Sequence, residues 1–312
     1  MVIFDGNTKA AAKEELLKLE VATLLVKPQI GAVLFTEDPG SRLYTRLKKE
    51  AAERVGIEYH LFEFSILDPA QNILAKIAEL NSDPSITGII IQKPMRSVWQ
   101  SAVKEQGSDA VLKYDEWWSS LVSTIDENKD VDGLHPSTLA AIADGTWHEK
   151  KRVLPATCQA VVDILIDFCV EIINKKPEDV NPESSLKCLE NKKIIILGKS
   201  DLLGKPLYYY LHKLNFDVEM IGSKELEERV AQGLALTDAD IIVSATGRQH
   251  LITGEMVKDG VSVIDVGEPK ADVEFESVSP KASFITPVPG GVGPMTVVCL
   301  MENGLKLVKN PH

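Results

Sequence analysis

Residues 194–214 read IIILGKSDLLGKPLYYYLHKL, and this stretch decides the fold. Ile194 to Leu197 have the length and β-branching of a strand buried on both faces, and Gly198 ends the run. Gly204 and Pro206 then open a helix: glycine lets the backbone approach a ligand closely, and the fixed φ of proline suits a first turn whose amides are unpaired anyway. Strand, glycine turn and helix N-terminus make an anion site, because free N–H groups and the positive end of the helix dipole face one point. A pyrophosphate is the natural guest. The G-x-G-x-x-G fingerprint is not met, since Ser200 and Leu203 stand where glycines would. Gly198-Lys199-Ser200 imitates the end of a P-loop, but Lys193 replaces the glycine required five positions earlier, which excludes an NTPase. The remaining G-K-S-x-x-x-G-x-P fits an ordinary strand-to-helix corner as well as a cofactor site.

Downstream the alternation continues. Strand Val218 to Ile221 ends in Gly222-Ser223-Lys224, a helix follows from Glu225 to Gln232, and strands are expected at Ile241 to Ala245, Val261 to Val266 and Phe284-Ile285, with a helix around Glu255 to Lys258. This is a doubly wound cofactor-binding pattern. A carboxylate at the end of the second strand of such a unit binds the ribose hydroxyls of NAD, whereas small polar and cationic groups accept the extra phosphate of NADP. Gly222-Ser223-Lys224 and Lys199 favour NADP, and the nearby Glu219 keeps NAD open. Thr157 is the expected N-cap of a helix from Cys158 to about Ile173, and Thr286 to Thr296 is expected as an irregular loop before a last helix, Val297 to Val308.

Upstream, residues 8 to 27 predict an amphipathic helix, and strands at Ile30 to Phe35, Tyr59 to Phe64 and Ile86 to Gln92 alternate with helices from Arg42 to Val55 and Pro69 to Leu80. A β-α-β-α-β order predicts a parallel sheet with right-handed crossovers. The fold class is therefore two-domain α/β, divided at a linker within Thr146 to Arg152. Tyr44 and Lys48 lie four apart and share a helix face, and Gln92 ends the third strand at the carboxyl edge where open α/β sheets bind ligands. Alone, a helical lysine is most often solvated; in a cleft, with its pKa depressed by burial, it can move protons. Asp132, in Lys129-Asp130-Val131-Asp132-Gly133, is either a turn former or an acceptor for an amino or amidine-like group. Trp99, Trp117 and Trp118 are expected to pack an accessory helix pair.

A length of 312 residues suits two ordinary domains, and a net charge of −12 argues against nucleic-acid or membrane-surface partners. Four scattered cysteines fit neither a zinc site nor a disulfide framework, which makes a reducing cytoplasm the default location. The amino-terminal residues alternate charged and apolar side chains, so a soluble, unprocessed chain is expected. No G-x-S-x-G or H-E-x-x-H occurs, and six dispersed histidines offer no metal set.

Several motifs in order resemble the methylenetetrahydrofolate dehydrogenase/methenyltetrahydrofolate cyclohydrolase family. Asp38-Pro39-Gly40-Ser41 with Tyr44 and Lys48 resembles its D-x-x-S-x-x-Y-x-x-x-K signature, and Lys129 to Gly133 its K-D-V-D-G. Pro155-Ala156-Thr157 is similar to P-C-T, Gly198 to Pro206 to G-R-S-x-x-V-G-x-P, and Thr286 to Val297 reproduces T-P-V-P-G-G-V-G-P-M-T-V. The resemblance implies a folate-binding catalytic domain over 1–152, completed by a terminal helix at 295–312, and a Rossmann NAD(P) domain over 153–294, with tetrahydrofolate chemistry in a cleft between them. It implies NADP-dependent oxidation of methylenetetrahydrofolate and hydrolysis of the methenyl product, in a cytoplasmic homodimer. Lys48, Gln92 and Asp132 would be catalytic, and Tyr44, Ser41, Pro289, Gly290 and Gly291 would contact the folate. Gly198, Lys199, Ser200, Gly204, Pro206, Ser223, Thr246 and Gly247 would hold the cofactor.

Three departures stand out. The family's Q-L-P-L-P is Gln92-Lys93-Pro94-Met95-Arg96, with two cations and a longer tract before Lys129; the arginine of G-R-S is Lys199; and the segment from Gly267 to Asp272 is short. Lysine keeps the charge but loses bidentate phosphate geometry. The competing readings are a dehydrogenase with little cyclohydrolase activity, using NAD or NADP, a folate-binding regulatory protein, and a Rossmann dehydrogenase acting on a small hydroxy acid.

Overall fold

Apolar runs such as Gly88–Ile91 and Ile194–Leu197 form parallel strands buried along their whole length, as expected for strands covered on both faces, whereas the edge strand Glu58–Phe64 mixes polar and apolar residues. The structure is a computed structural model that describes residues 1–104, 113–173, 185–267 and 270–309. In chain order the elements are β1 (Val2–Ile3), α1 (Gly6–Thr23), β2 (Gln29–Phe35), α2 (Pro39–Val55), β3 (Glu58–Phe64), α3 (Ala70–Ser82), β4 (Gly88–Ile91), α4 (Arg96–Lys104), α5 (Tyr114–Val122), α6 (Pro136–Asp144) and α7 (Ala156–Ile173). They continue with β5 (Ile194–Leu197), α8 (Gly204–Lys213), β6 (Val218–Ile221), α9 (Ser223–Ala231), β7 (Ile241–Ser244), β8 (Ser262–Asp265), α10 (Phe275–Val278), β9 (Phe284–Ile285) and α11 (Val292–Lys309).

The chain divides into two compact units. One comprises Met1–Ala11, Ile142–Gly145 and Pro155–Cys299, the other Ala12–Ala141, Thr146–Leu154 and Leu300–His312. The first holds a parallel sheet of order β1-β9-β8-β7-β5-β6. Its central residues Ile194, Ile195, Ile196, Ile242 and Val243 are fully buried, and each such side chain contributes about 1.5–3 kcal/mol by leaving water. Val2 and Ile3 pair with Phe284 and Ile285, so the chain's first residues join this sheet rather than the segment 1–152. Two apolar residues are too few to announce a strand before its partner is known.

The second unit is built on a three-stranded parallel sheet, β3-β2-β4. Helix α3 packs Ile73, Ile77 and Leu80 against Val33, Ile89 and Ile91. The expected accessory pair is α4 and α5: Trp99, Tyr114 and Trp117 form one aromatic cluster, and Trp117 meets Phe35 at 4.9 Å between ring centres. Residues 105–112, within the longer tract, and 268–269, within the shortened segment, lie outside the described residues.

Local chemistry moves several boundaries. Helix α2 begins at Pro39, not Arg42, because Asp38 caps it by accepting from Gly40 N at 2.9 Å and Ser41 N at 3.3 Å, with proline in the first turn. Helix α7 begins at Ala156, which puts Thr157 inside the first turn rather than at the cap. Helix α11 begins at Val292, inside the expected loop, because Pro294 falls in a first turn that needs no amide donor. The helix expected near Glu255 is a single 3-10 turn, Gly254–Met256.

The cysteines also correct the sequence reading, since Cys169 and Cys188 form a disulfide while Cys158 and Cys299 are buried thiols outside it. Packing of α7 on the 3-10 turn Lys187–Leu189 brings the two Cα atoms to 5.4 Å, a meeting that no spacing motif encodes.

Asp38 is almost fully buried, and besides the cap it accepts from Ser41 Oγ and from Met95 N at 2.7 Å. Asp38→Ala removes all four bonds and is expected to lower stability by about 2 kcal/mol in urea unfolding; an unchanged midpoint would show that the cap carries no weight.

Candidate active site

The candidate residues fall into two groups, one in each unit. In the three-stranded unit, Lys48 sits on α2 with Gln92 just beyond the end of β4. The lysine is 7% exposed and its Nζ donates to Gln92 Oε1 at 2.8 Å. Burial pulls its pKa below the usual lysine value, against the opposing pull of the Asp132 carboxylate. Burial pushes Asp132 up to about 6; the positive charge of Lys48 resists that shift and the neighbouring Asp130 adds to it. The Tyr59 hydroxyl on β3 is pushed up too, by its own burial and by Asp132. Tyr44, one turn before Lys48, has a buried Oη with no hydrogen-bond partner. A partly buried ring carrying an unsatisfied hydroxyl fits a flat polar ligand better than a closed core.

Asp132 is held by the rest of its motif. Lys129 Nζ donates to the carbonyls of Leu80, Asn81 and Asp83, which ties the motif to the end of α3. Buried Asp130 accepts from Leu134 N, His135 N and Thr138 Oγ1, and Ile89 bridges to it. Gly88 leaves room for Val131, whose Cβ would lie 3.1 Å from an added Cβ there. Gly133 turns the chain at a φ of +70°. Asn303 on α11 then fixes this loop from behind, donating to Val131 O at 3.1 Å and Leu154 O at 2.9 Å. Sequence reasoning missed Asn303, because an isolated asparagine within an apolar helix carries no motif. It also missed Asp38 as a link between α2 and the Lys93–Met95 loop. Ser41 is brought to this region, but its hydroxyl donates to Asp38 and to Lys93 O.

In the six-stranded unit, the cofactor candidates gather at the carboxyl ends of β5, β6 and β7. Gly198 has a φ of +111°, and an added Cβ would come within 2.5 Å of Ala245 O. On Gly204 a Cβ would meet Gly198 O at 1.9 Å, so the turn and the start of α8 need both glycines. The residue before α8, Leu203, offers no side-chain cap; Lys205 N is spent on Ser200 O and Pro206 has no N–H, so Gly204 N is the first-turn donor left toward an anion. A dinucleotide phosphate fits against that amide, where neither glycine carries a Cβ. Ser200 accepts from Lys205 N through its carbonyl, Pro206 lies in the first turn of α8, and Ser223 opens α9. Thr246 N donates to buried Asp272 at 2.6 Å, Thr246 Oγ1 accepts from Arg248 N, and Gly247 faces open space.

Asp272, unremarked in the sequence, thus fixes the loop after β7. Pro289, Gly290 and Gly291 lie beside the start of α1, where Gly6 N donates to Gly290 O at 2.9 Å. Glu219 does not reach the end of β6, being paired with Lys193 at 3.3 Å and Arg229 at 3.4 Å. Among the described residues no helix is long and apolar enough to cross a membrane.

Comparison with known proteins matches the chain to two family models. Residues 183–312 match the family model for the tetrahydrofolate dehydrogenase/cyclohydrolase NAD(P)-binding domain, and residues 4–109 match that for the catalytic domain. The chain is 34% identical to the bifunctional protein FolD of Lactobacillus helveticus, over 99% of this chain and 98% of that one. Its fold is similar to the crystal structure of the bifunctional FolD enzyme from Campylobacter jejuni, with a TM-score of 0.80, 30% identity and 100% of both chains covered. It is also similar to the Trypanosoma brucei methylenetetrahydrofolate dehydrogenase-cyclohydrolase complexed with NADP and an inhibitor, with a TM-score of 0.79, 26% identity, and 99% and 97% covered. Taken with the buried lysine group and the glycine turn at β5, these likenesses show that the chain belongs to the tetrahydrofolate dehydrogenase/cyclohydrolase family.

Proposed function

We propose that this chain oxidises 5,10-methylenetetrahydrofolate to 5,10-methenyltetrahydrofolate and hydrolyses that product to 10-formyltetrahydrofolate. The observation that carries the reading is the buried Lys48 ammonium, bonded to Gln92 and electrostatically coupled to Asp132. When bound, the nicotinamide dinucleotide, NADP or NAD, supplies the hydride acceptor; Gly198, Lys199, Ser200, Gly204, Pro206, Ser223, Thr246 and Gly247 are the residues that would hold it. Oxidation leaves a resonance-stabilised amidinium and asks for alignment rather than a strong base. Hydrolysis asks for more. Water attacks the amidinium carbon, one carbon–nitrogen bond breaks, and the departing nitrogen takes up a proton.

Lys48 is suited to that transfer because burial makes its neutral form accessible nearer neutral pH than that of a free lysine. Gln92 holds Nζ in place through a hydrogen bond that survives either protonation state of the lysine, since one N–H is always available. Asp132 accepts hydrogen bonds from the amino-bearing edge of the pterin, and Tyr44 stacks on its ring system. Ser41 acts through the Asp38 link, holding the Lys93–Met95 loop, and Pro289, Gly290 and Gly291 contact the substrate. A second copy of the chain is the expected protein partner: β3 is an edge strand of its sheet, and Leu43, Leu47 and Leu61 are exposed. A cytoplasmic location is expected from the family resemblance and not from the cysteines, two of which are bonded to each other.

Lys48→Met is expected to slow methenyltetrahydrofolate hydrolysis, followed by absorbance, by about 10²- to 10⁴-fold; equal rates for variant and native protein would remove the lysine from the mechanism. Asp132 must be ionised to accept from the pterin. Its group is pushed up to about 6, so kcat/KM for the folate should fall as pH drops through that value. Asp132→Asn should flatten this acid limb, and a limb that persists unchanged would assign it elsewhere. Sedimentation at micromolar concentration should give a dimer; a monomer there would remove the second copy.

A further inference from the structure

β6 ends at Ile221, and the backbone turns through Gly222 into α9. Two charged side chains cover that corner. Lys199, from the turn after β5, donates to Glu225 Oε1, while Gly222 N donates to Glu225 Oε2 at 3.0 Å. A Cβ built on Gly222 would lie 3.1 Å from that same Oε2 and 3.4 Å from Lys199 Cε, so the carboxylate and the lysine stem both rest on the glycine. Each side chain of the pair is 43% exposed, which leaves both within reach of a ligand.

In a doubly wound sheet this corner receives the adenosine ribose, where a carboxylate accepts from a 2′-hydroxyl and a cation pairs with a 2′-phosphate. This chain has one of each, bonded together. Glu225 is the third residue of α9, at the positive end of the helix dipole, and it is anchored by the Gly222 amide. Lys199 and that amide hold its carboxyl down to about 2, so it remains an anion throughout the working pH range. Lys199, on a flexible stem, can swing to a phosphate; Glu225 cannot leave without losing its backbone bond. A 2′-phosphate must therefore break the ion pair and place its own negative charge beside a fixed carboxylate. A 2′-hydroxyl meets an acceptor already in position.

We propose that Glu225 sets the cofactor selectivity of this chain, holding Lys199 away from a 2′-phosphate and accepting the 2′-hydroxyl, so that NAD is bound at least as well as NADP. The proposal rests on the NAD(P) reading above and deepens it. Glu219, the carboxylate that keeps NAD open in the sequence, is engaged with Lys193 and Arg229 and leaves the role to Glu225.

The test is the dissociation constant of NADH and of NADPH, measured by quenching of protein fluorescence on the full chain in four forms: native, Glu225→Gln, Lys199→Met and the double variant. The native chain is expected to bind NADH at least as tightly as NADPH. Glu225→Gln should shift the affinity ratio toward NADPH by about tenfold or more. Adding Lys199→Met should abolish that gain, and the same substitution in the native background should cost NADPH affinity less than it costs in the Glu225→Gln background. A native preference for NADPH of about tenfold, or a ratio that Glu225→Gln leaves within about twofold, would overturn the proposal while leaving the NAD(P) reading intact. If neither dinucleotide binds any of the four forms, the NAD(P) reading itself fails and the proposal falls with it.

Discussion

An ammonium group removed from water must be compensated or neutralised, and the catalytic half of this chain is arranged around that constraint at Lys48. The group is nearly inaccessible, accepts the company of one amide oxygen, and is electrostatically coupled to one carboxylate. A full complement of carboxylates would make a stable ion pair and a useless base, because the lysine would hold its proton well above neutrality. Gln92 avoids this by being polar without charge. Asp132 supplies the charge and is itself weakened as an acid by burial and by Asp130. The two groups shift toward each other, lysine downward and carboxyl upward, which is the pattern expected where protons are meant to move.

That poise demands rigid support, and the support is mostly backbone. Gln92 N donates to Val33 O, which carries the residue on the end of the sheet. Asp132 hangs between Asp130, locked by three donors, and Gly133, which turns away. Lys129 closes three carbonyls at the end of α3, and Asn303 closes two more from α11. Each of these polar groups would be costly to bury unpaired. Their mutual satisfaction explains why a short charged motif, surrounded by apolar strands, keeps one conformation. Two of its three charged residues, Lys129 and Asp130, are spent on structural bonds, and the third, Asp132, is the carboxylate that acts on Lys48.

How much of this was legible depended on whether a signal was local. Strand runs such as Ile194–Leu197 and the glycine turn after them carry their own evidence, since burial on both faces and a positive φ are written in residue type. So do Tyr44 and Lys48, whose spacing fixes a shared face. The helix starts at Pro39 and Val292 were legible in principle, through an aspartate before proline and a proline in a first turn, but each competed with an equally plausible loop. Contacts between distant parts were not legible. The Cys169–Cys188 bond, Asn303 behind Val131, Asp272 beneath Thr246 and the Lys199–Glu225 pair join residues whose sequence separation carries no periodicity. Only the fold brings them together.

The cations at positions 93 and 96 show how such distance can mislead. In sequence they replace an apolar wall beside Gln92 and suggest an altered substrate path. In the fold, Lys93 Nζ lies 5.0 Å from the ring centre of Trp118, and the Arg96 guanidinium lies 4.5 Å from that of Tyr114 while pairing with Asp115. All three partners come from α5 or its immediate start, within the longer tract itself. The cations and the aromatics of α5 therefore form one unit: α5 brings the rings, and the loop after β4 brings the charges that rest on them. Tyr114 Oη adds a bond to Pro94 O at 2.7 Å, between the two cations. What looks like two independent departures is a single one, and it fastens the loop carrying Gln92 to α5 rather than reaching toward Lys48.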